Sequence, residues 1–264
     1  MSDVTKLQAG GASLEVRFVG SSPRGAPTLV FLHEGLGSVA QWKDFPDRVC
    51  ARLGLGALVY SRRGYGASDG VSAKPRPVRF MHDEAEVLNE LLDAAKLEPV
   101  ILVGHSDGAS IALLCAAADA GNRVRAVVAM APHLFIEDVT VKSIAAIAES
   151  WNRTDLRGRL AKYHGANVDG AFLGWSGVWL SEAFRAWNIE REVERIAVPV
   201  LAIQGEDDEY GTLAQVEALE RRARGKVDVR VLAECGHAPW KDQGAPTLEA
   251  MAPFVERLGE RGAL

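Results

Sequence analysis

The chain has 264 residues, of which 48% are hydrophobic and 25% are charged, and its formal net charge is −5 at pH 7. This composition is typical of a globular protein with one large domain, or one domain with an insertion. The acidic balance argues against a nucleic-acid partner, which requires a concentrated basic surface, and no apolar run is long enough to predict a membrane partner. A homo-oligomer is compatible with the composition.

The chain contains three cysteines, Cys50, Cys115 and Cys235. They are too few and too scattered for a disulfide framework or a zinc site, so we predict no metal. The amino-terminal residues lack the basic start and apolar stretch of a signal peptide, which favours a cytoplasmic location.

Short apolar runs along the chain predict the strands of a sheet. Residues 13–19 alternate in polarity after a glycine pair, as the second arm of a hairpin does. The next runs are almost continuously apolar, which indicates parallel strands that are covered on both faces. These runs are residues 28–32, 57–60, 100–103, 124–130 and 199–203, and a last, alternating run at 227–232 is expected nearer an edge.

Helical patterns lie between the predicted strands. One apolar stripe runs through residues 81–95, another through 111–117 and a last one through 248–258. Thr212 and Gln215 match the capping-box pattern that begins a helix. Strands that alternate with helices predict an α/β fold with a doubly wound, mostly parallel sheet. Its ligand crevice is expected beyond the carboxyl ends of the strands.

One connection breaks the alternation of strands and helices. The stretch that precedes the strand at 199–203 is too long for a single crossover, and it contains a helical pattern and a run rich in glycine and aromatic residues. We interpret residues 134–196 as an inserted cap, or lid. Residues 1–133 and 197–264 then form the core domain.

Residues 104–108, Gly-His-Ser-Asp-Gly, fit the G-x-S-x-G pattern of a nucleophile elbow. They directly follow a predicted buried strand and precede an apolar helix, which is the setting that this sharp turn requires. Asp107 is a poorer nucleophile candidate than Ser106, because His105 would then occupy a position that needs a small residue. At this point a serine that merely caps a helix remains the alternative.

Three further stretches follow predicted strands: Leu-His-Glu-Gly-Leu-Gly-Ser at 32–38, Ser-Arg-Arg-Gly-Tyr-Gly-Ala-Ser-Asp-Gly at 61–70, and Glu-Cys-Gly-His-Ala-Pro-Trp-Lys-Asp at 234–242. Together with the serine elbow, and in the same order, they resemble the motifs of the α/β-hydrolase fold family over nearly the full chain. This resemblance implies an α/β-hydrolase fold with a helical cap insertion. It also implies a cofactor-independent, carboxylesterase-like serine hydrolase.

The family's chain order of nucleophile, acid and histidine implies a catalytic triad of Ser106, Asp208 and His237. Motif register selects Asp208 as the acid, while Glu206 and Asp207 remain alternatives. In such a triad the histidine takes the serine's proton and the carboxylate orients the imidazole.

The same resemblance implies an oxyanion hole formed by the backbone N–H groups of Gly35 and Asp107. Glu34 stands where the family usually has glycine, next to one of these donors. An unpaired carboxylate at that position would oppose the negative charge that develops on the substrate. We therefore predict that Arg62 or Arg63 pairs with Glu34.

The predicted substrate is a small-molecule ester with apolar or aromatic acyl or alcohol groups. The predicted cap is rich in aromatic residues, of which some are expected to pack against the core and others to form a pocket wall. As substrate-binding residues we predict Trp175 and Trp179 of the cap, together with Glu34 and His133 at strand ends.

Several other activities are compatible with these residues. The same triad cleaves thioesters, so an acyl thioesterase is one alternative, and a C–C bond hydrolase and a cofactor-free haloperoxidase are others on the same fold. A ligand-binding receptor of this fold with little turnover is the alternative outside enzymes. The physiological substrate depends on cap geometry, which these patterns do not specify.

Overall fold

A mixed sheet of eight strands organises residues 4–260, the part of the chain that the computed structural model describes. The strands are β1 (Val4–Ala9), β2 (Ala12–Val19), β3 (Thr28–Leu32), β4 (Ala57–Tyr60), β5 (Val100–His105), β6 (Val124–Met130), β7 (Val200–Gly205) and β8 (Val227–Leu232). Their order across the sheet is β1-β2-β4-β3-β5-β6-β7-β8. The pairs β1–β2 and β2–β4 are antiparallel, and every later pair is parallel.

The central strands are buried on both faces, as their continuous apolar sequences predict. In β5, Val100 and Leu102 pack into one core cluster, whereas Ile101 and Val103 pack into another on the opposite side of the sheet. Successive side chains of a strand point to opposite faces, so an uninterrupted apolar run supplies both clusters at once.

Helices cover both faces of the sheet. They are α1 (Phe45–Leu53), α2 (Phe80–Ala95), α3 (Asp107–Ala118), α4 (Asp138–Arg153), α5 (Leu156–His164), α6 (Val168–Trp179), α7 (Glu190–Val193), α8 (Ala214–Arg222), α9 (Pro239–Asp242) and α10 (Gly244–Glu260). Leu88 of α2 and Leu113 of α3 belong to one core cluster, while Val49 of α1 and Met251 of α10 belong to the other. The predicted doubly wound α/β fold is therefore confirmed.

The predicted capping box at Thr212 is wrong. Helix α8 begins at Ala214, whose N–H donates to Thr212 Oγ1 (3.2 Å), but the Gln215 side chain does not bond back to the Thr212 N–H as a capping box requires. The buried Gln215 side chain instead accepts a hydrogen bond from the Leu134 N–H (2.7 Å) and donates one to the Phe135 carbonyl (3.1 Å). The Gln215 side-chain amide thus provides hydrogen-bond partners for backbone groups after β6 that would otherwise be unpaired, and it is not used at the helix end.

Helices α4 to α7 all lie in the connection between β6 and β7. We call residues 138–193 the roof, because several of its side chains line a cavity that also contains Ser106. The division into a core domain and a cap at residues 134–196 stays a prediction. No helix within residues 4–260 combines the length and the apolar character needed to cross a bilayer.

Candidate active site

Ser106 occupies the sharp turn between β5 and α3. Its backbone has φ 53° and ψ −121°, a conformation that costs energy for a residue with a side chain. Its side chain forms no capping hydrogen bond to α3, so the serine does not serve as a helix cap. The turn instead leaves the hydroxyl free to contact a side chain from elsewhere in the chain.

The two glycines of the elbow are required by close backbone contacts. A Cβ atom at Gly104 would lie 2.3 Å from the carbonyl oxygen of Gly108, and one at Gly108 would lie 2.2 Å from the carbonyl oxygen of Leu32. Both distances are far inside van der Waals contact, and in each case the obstructing atom belongs to the backbone. The G-x-S-x-G spacing is thus a packing requirement of the turn.

Ser106, His237 and Asp208 form a continuous chain of hydrogen bonds. His237 Nε2 lies 2.8 Å from Ser106 Oγ, and His237 Nδ1 lies 2.9 Å from each carboxylate oxygen of Asp208. Asp208 Oδ1 also accepts the backbone N–H groups of Tyr210 (2.7 Å) and Gly211 (3.2 Å). These hydrogen bonds fix the orientation of the Asp208 carboxylate, so that both of its oxygens face the imidazole of His237.

The surroundings of Asp208 keep its carboxylate charged. The side chain is 1% exposed, and its Oδ2 accepts a hydrogen bond of 2.6 Å from Gln204. Burial by itself would raise the pKa of Asp208, but the hydrogen bond and charge of His237 and the backbone donors outweigh it and lower the pKa. Glu206 and Asp207, the other acid candidates, are exposed and form no hydrogen bond with His237.

Gly35 and Asp107, the residues predicted to supply the oxyanion-hole N–H groups, line the same cavity as Ser106. Asp107 is the first residue of α3, where helix geometry leaves the N–H without an intrahelical acceptor. Neither N–H donates to another group among residues 4–260. Both donors are therefore available to an oxygen atom of a bound substrate.

Three donors hold the peptide group that carries the Gly35 N–H. The carbonyl of Glu34 accepts hydrogen bonds from His33 Nδ1 (2.7 Å), Arg62 Nη2 (2.9 Å) and the Gly37 N–H (3.1 Å). In a planar trans peptide the C=O and the following N–H point in opposite directions. Fixing the Glu34 carbonyl in this way fixes the direction of the Gly35 N–H.

The predicted pairing of the Glu34 carboxylate with Arg62 or Arg63 is wrong. Its Oε2 lies 3.5 Å from His105 Nδ1. The guanidinium of Arg62 instead donates a hydrogen bond to the Glu34 carbonyl and forms an ion pair with Asp107. Arg63 is exposed. Burial would raise the pKa of Glu34, but the contact with His105 lowers it to about 2, so the carboxylate is ionised.

His105, the residue before the elbow serine, contacts the loop that carries His237. Its Nε2 donates a 2.7 Å hydrogen bond to the His237 carbonyl, and its Nδ1 lies 3.2 Å from the indole nitrogen of Trp240. His105 lies at a variable position of the elbow motif, so the motif itself carries no signal for this contact.

The cavity around Ser106 has a volume of about 510 Å³ and a mixed lining. The lining residues that come from the roof are mainly apolar and aromatic: Ile144, Ile147, Tyr163, Trp175 and Trp179. Those from outside the roof include the polar or charged Gln41, Lys43, Lys241 and Asp242. No group of three or more His, Cys, Asp and Glu side chains in the described part of the chain is arranged to hold a metal ion.

The predicted substrate-binding residues all line this cavity. His133 is 2% exposed, and its ring meets that of Trp179 edge-on at 5.0 Å between centroids. Burial, with a further contribution from His237, lowers the pKa of His133 to about 3, so its imidazole is neutral. The indole N–H of Trp179 donates to Asp107 Oδ1 at 3.2 Å, which ties the roof to the elbow.

Comparison with known proteins places this fold in a family. Residues 29–250 match the sequence profile of the Alpha/beta hydrolase family. A search of curated protein sequences found none that matches the chain.

Solved structures of similar fold include two esterases and an enol-lactonase. A thermophilic esterase from Thermogutta terrifontis is 15% identical with a TM-score of 0.74, and 97% of this chain and 99% of that chain are covered. An esterase from Exiguobacterium antarcticum is 21% identical with a TM-score of 0.71, at 96% and 99% coverage. The enol-lactonase from Burkholderia xenovorans LB400 is 20% identical with a TM-score of 0.72, at 95% and 99% coverage. The profile match spans most of the chain and these structures share its fold, so this protein belongs to the alpha/beta hydrolase family of hydrolases.

Proposed function

We propose that the protein is a serine hydrolase that cleaves carboxylic esters through an acyl-enzyme intermediate. The observation that carries this proposal is the row of hydrogen bonds from Ser106 Oγ to His237 Nε2 (2.8 Å) and from His237 Nδ1 to Asp208 (2.9 Å). A serine hydroxyl is a weak nucleophile until an adjacent base can take its proton, and this row supplies the base and a carboxylate that orients it.

The proposed reaction has two stages. Ser106 Oγ attacks the ester carbonyl carbon while His237 takes the hydroxyl proton, and the same proton then passes to the departing alkoxide. Water next attacks the acyl-enzyme, again with His237 as base, and releases the acid and the free serine. The Gly35 and Asp107 N–H groups would hold the negatively charged carbonyl oxygen, a contribution of about 3 kcal/mol per donor in other enzymes.

The proposed substrates are small molecules with an apolar or aromatic group next to the ester bond. Aliphatic and indole side chains of the roof, such as Ile144, Ile147 and Trp175, support this choice because they contribute to the lining of the cavity. Thioesters remain an alternative, since the same two stages cleave them. The names of the two esterase structures agree with ester hydrolysis but do not extend to this chain's substrate.

A serine-directed phosphonate probe and nitrophenyl esters of graded acyl length test the proposal. We expect stoichiometric labelling, a burst of nitrophenol and repeated turnover. Ser106→Ala should abolish the labelling and lower kcat by at least about 1000-fold. Ser72→Ala is the matched control, because Ser72 is exposed and far along the chain from the elbow, and it should behave like the unaltered protein.

The same assays separate the alternatives. Faster turnover of thioesters than of esters with matched acyl groups would favour a thioesterase. Labelling at Ser106 without repeated turnover of any ester or thioester would favour a receptor and would overturn the proposed enzyme. Turnover that survives in Ser106→Ala would overturn the proposed nucleophile.

A further inference from the structure

The side chain of Arg62 is a buried cation that contacts Asp107 and the Glu34 carbonyl, which belongs to the same peptide group as the Gly35 N–H. It is 1% exposed. Its Nη2 donates to the Glu34 carbonyl at 2.9 Å and lies 3.6 Å from Asp107 Oδ2. The ring of Tyr65 covers the guanidinium at 4.7 Å, so the group has little freedom to move.

Arg62 helps to determine the direction of the Gly35 N–H. It is one of the three donors on the Glu34 carbonyl, and it is the one with a full permanent charge. Hydrogen bonds from a charged donor are roughly twice as strong as neutral ones. Without it, the Glu34–Gly35 peptide could rotate more easily and turn its N–H away from a bound oxygen.

Arg62 also restrains the residue that supplies the other N–H donor. The Asp107 side chain is 1% exposed, and its Oδ2 has no hydrogen-bond partner within residues 4–260. The other oxygen accepts the Trp179 indole N–H. A buried carboxylate without a counter-charge would be costly and would oppose an oxyanion at its own N–H. Burial raises the pKa of Asp107, and the charge of Arg62 at 3.6 Å opposes that rise, so Arg62 supplies the counter-charge of this side chain.

The next residue in the chain offers a built-in comparison. Arg63 has the same chemistry but is exposed and forms no ion pair among the described residues. The Arg-Gly-x-Gly-x-Ser motif behind the family resemblance begins at Arg63, so the motif does not account for a buried arginine at position 62.

We propose that Arg62 is a positioning residue for the oxyanion hole: one guanidinium holds the Glu34–Gly35 peptide and the Asp107 carboxylate together, so that the Gly35 and Asp107 N–H groups converge on one oxygen atom. This inference rests on the proposed serine hydrolase function. Arg62 itself does not touch the substrate. It acts through the backbone geometry of the two residues that do.

The first test compares Arg62→Met with Arg63→Met in the full chain. We expect Arg62→Met to lower kcat by about 100-fold, the size of effect seen when one oxyanion donor is lost, with KM within about threefold. Arg63→Met should retain the kcat of the unaltered protein. Because Arg62→Met leaves Asp107 unpaired, the double variant Arg62→Met/Asp107→Asn removes both charges and keeps the test valid if the single variant fails to fold.

A second readout separates positioning from general stability. A boronic acid accepts the Ser106 oxygen and forms a tetrahedral adduct that places an oxygen in the oxyanion hole, whereas the alcohol product binds without one. In the double variant we expect the boronic acid to bind weaker by about the factor lost in kcat, while the affinity for the alcohol product changes by less than about threefold.

Two results would overturn the inference, and they differ in whether the proposed function also fails. If the double variant regains the kcat and the boronic acid affinity of Arg63→Met, Arg62 is only a counter-charge for Asp107 and the inference is overturned, while the Ser106 mechanism stands. If the unaltered protein shows no turnover that depends on Ser106, the proposed function fails and this inference fails with it.

Discussion

The loops at the strand ends and the roof shape the same cavity by different means. At the strand ends, positions are determined largely by backbone contacts. Gly104 and Gly108 pack against carbonyl oxygens so closely that neither could carry a side chain, and this packing holds Ser106 in its strained conformation. Rearranging one such contact would require the backbone of a neighbouring strand to move.

The roof is attached mainly through side chains. His164 accepts the Gly66 N–H at 3.1 Å and donates to the Leu36 carbonyl at 2.9 Å, and Trp179 donates to Asp107. Each of these contacts can be altered by one substitution without displacing the sheet. From this comparison we expect the proposed reaction geometry to depend on the strand ends, and the choice of substrate to depend on the roof.

The sharpest way to test this contrast is to add a methyl group at two strand-end glycines, one that packs against backbone and one that packs against a roof side chain. Gly108→Ala places a Cβ 2.2 Å from the Leu32 carbonyl oxygen, and Gly35→Ala places one 2.1 Å from Trp175 Nε1. We expect Gly108→Ala to prevent stable folding, because its obstacle is the backbone. Gly35→Ala should fold and lose about 10- to 100-fold in kcat, because its obstacle is a side chain that can shift.

A double variant checks the cause of the loss at Gly35. In Gly35→Ala/Trp175→Leu the indole that obstructs the new methyl group is absent. We expect the double variant to be more active than the product of the two single effects predicts, which is the signature of direct coupling. Strictly additive effects would show that the roof does not limit this position.

The second prediction concerns the acid at the end of β7. Asp208→Asn should lower kcat by about 1000- to 10,000-fold, because an amide cannot stabilise the imidazolium and favours the wrong tautomer of His237. Asp207→Asn, one residue away and exposed, should change kcat by less than about threefold. Steady-state kinetics on one nitrophenyl ester would measure both, and equal losses would contradict the placement of the acid.

The residues that could be predicted from the sequence are those whose position follows from the backbone. The elbow glycines and Ser106 were predictable because the sharp turn tolerates nothing larger. Asp208 and His237 followed from motif register after β7 and β8. Spacing alone determines the elbow, whereas Asp208 and His237 were selected by the family's motif order, with Glu206 and Asp207 left as alternatives for the acid.

The predictions that failed concern the partners of longer side chains. The Glu34 carboxylate was predicted to pair with an arginine. The guanidinium of Arg62 instead contacts the Glu34 carbonyl and Asp107, and the Glu34 carboxylate lies next to His105. Gln215 was predicted to take part in a helix capping box, but its side chain instead accepts a hydrogen bond from the backbone after β6. Several partners lie within reach of such side chains, and which one is used depends on packing that spacing does not encode.

The third prediction, with the smallest expected effect, tests whether a charged group at the strand ends makes this region sensitive to acid. The pKa of Glu34 falls from 4.5 to about 2 in the folded protein, where His105 and His33 face the carboxylate. As the pH falls below about 5, the unfolded chain binds this proton before the folded chain does. The stabilisation is therefore complete above pH 5 and is lost as the pH falls toward 2. At ~1.4 kcal/mol per pKa unit, it is at most about 3.5 kcal/mol.

Glu34→Gln removes this contribution and should lower the free energy of unfolding most at pH 7. The difference from the unaltered protein should shrink as the pH falls from 5 to 3. The buried His133, with its lowered pKa, adds acid sensitivity of its own, but Glu34 is not among the groups that shift it, so its contribution cancels in the difference. Glu182→Gln, at an exposed position in the roof, is the control and should show no such trend in urea unfolding. A difference for Glu34→Gln that is constant from pH 7 to pH 3 would mean that packing, rather than charge, explains the role of Glu34.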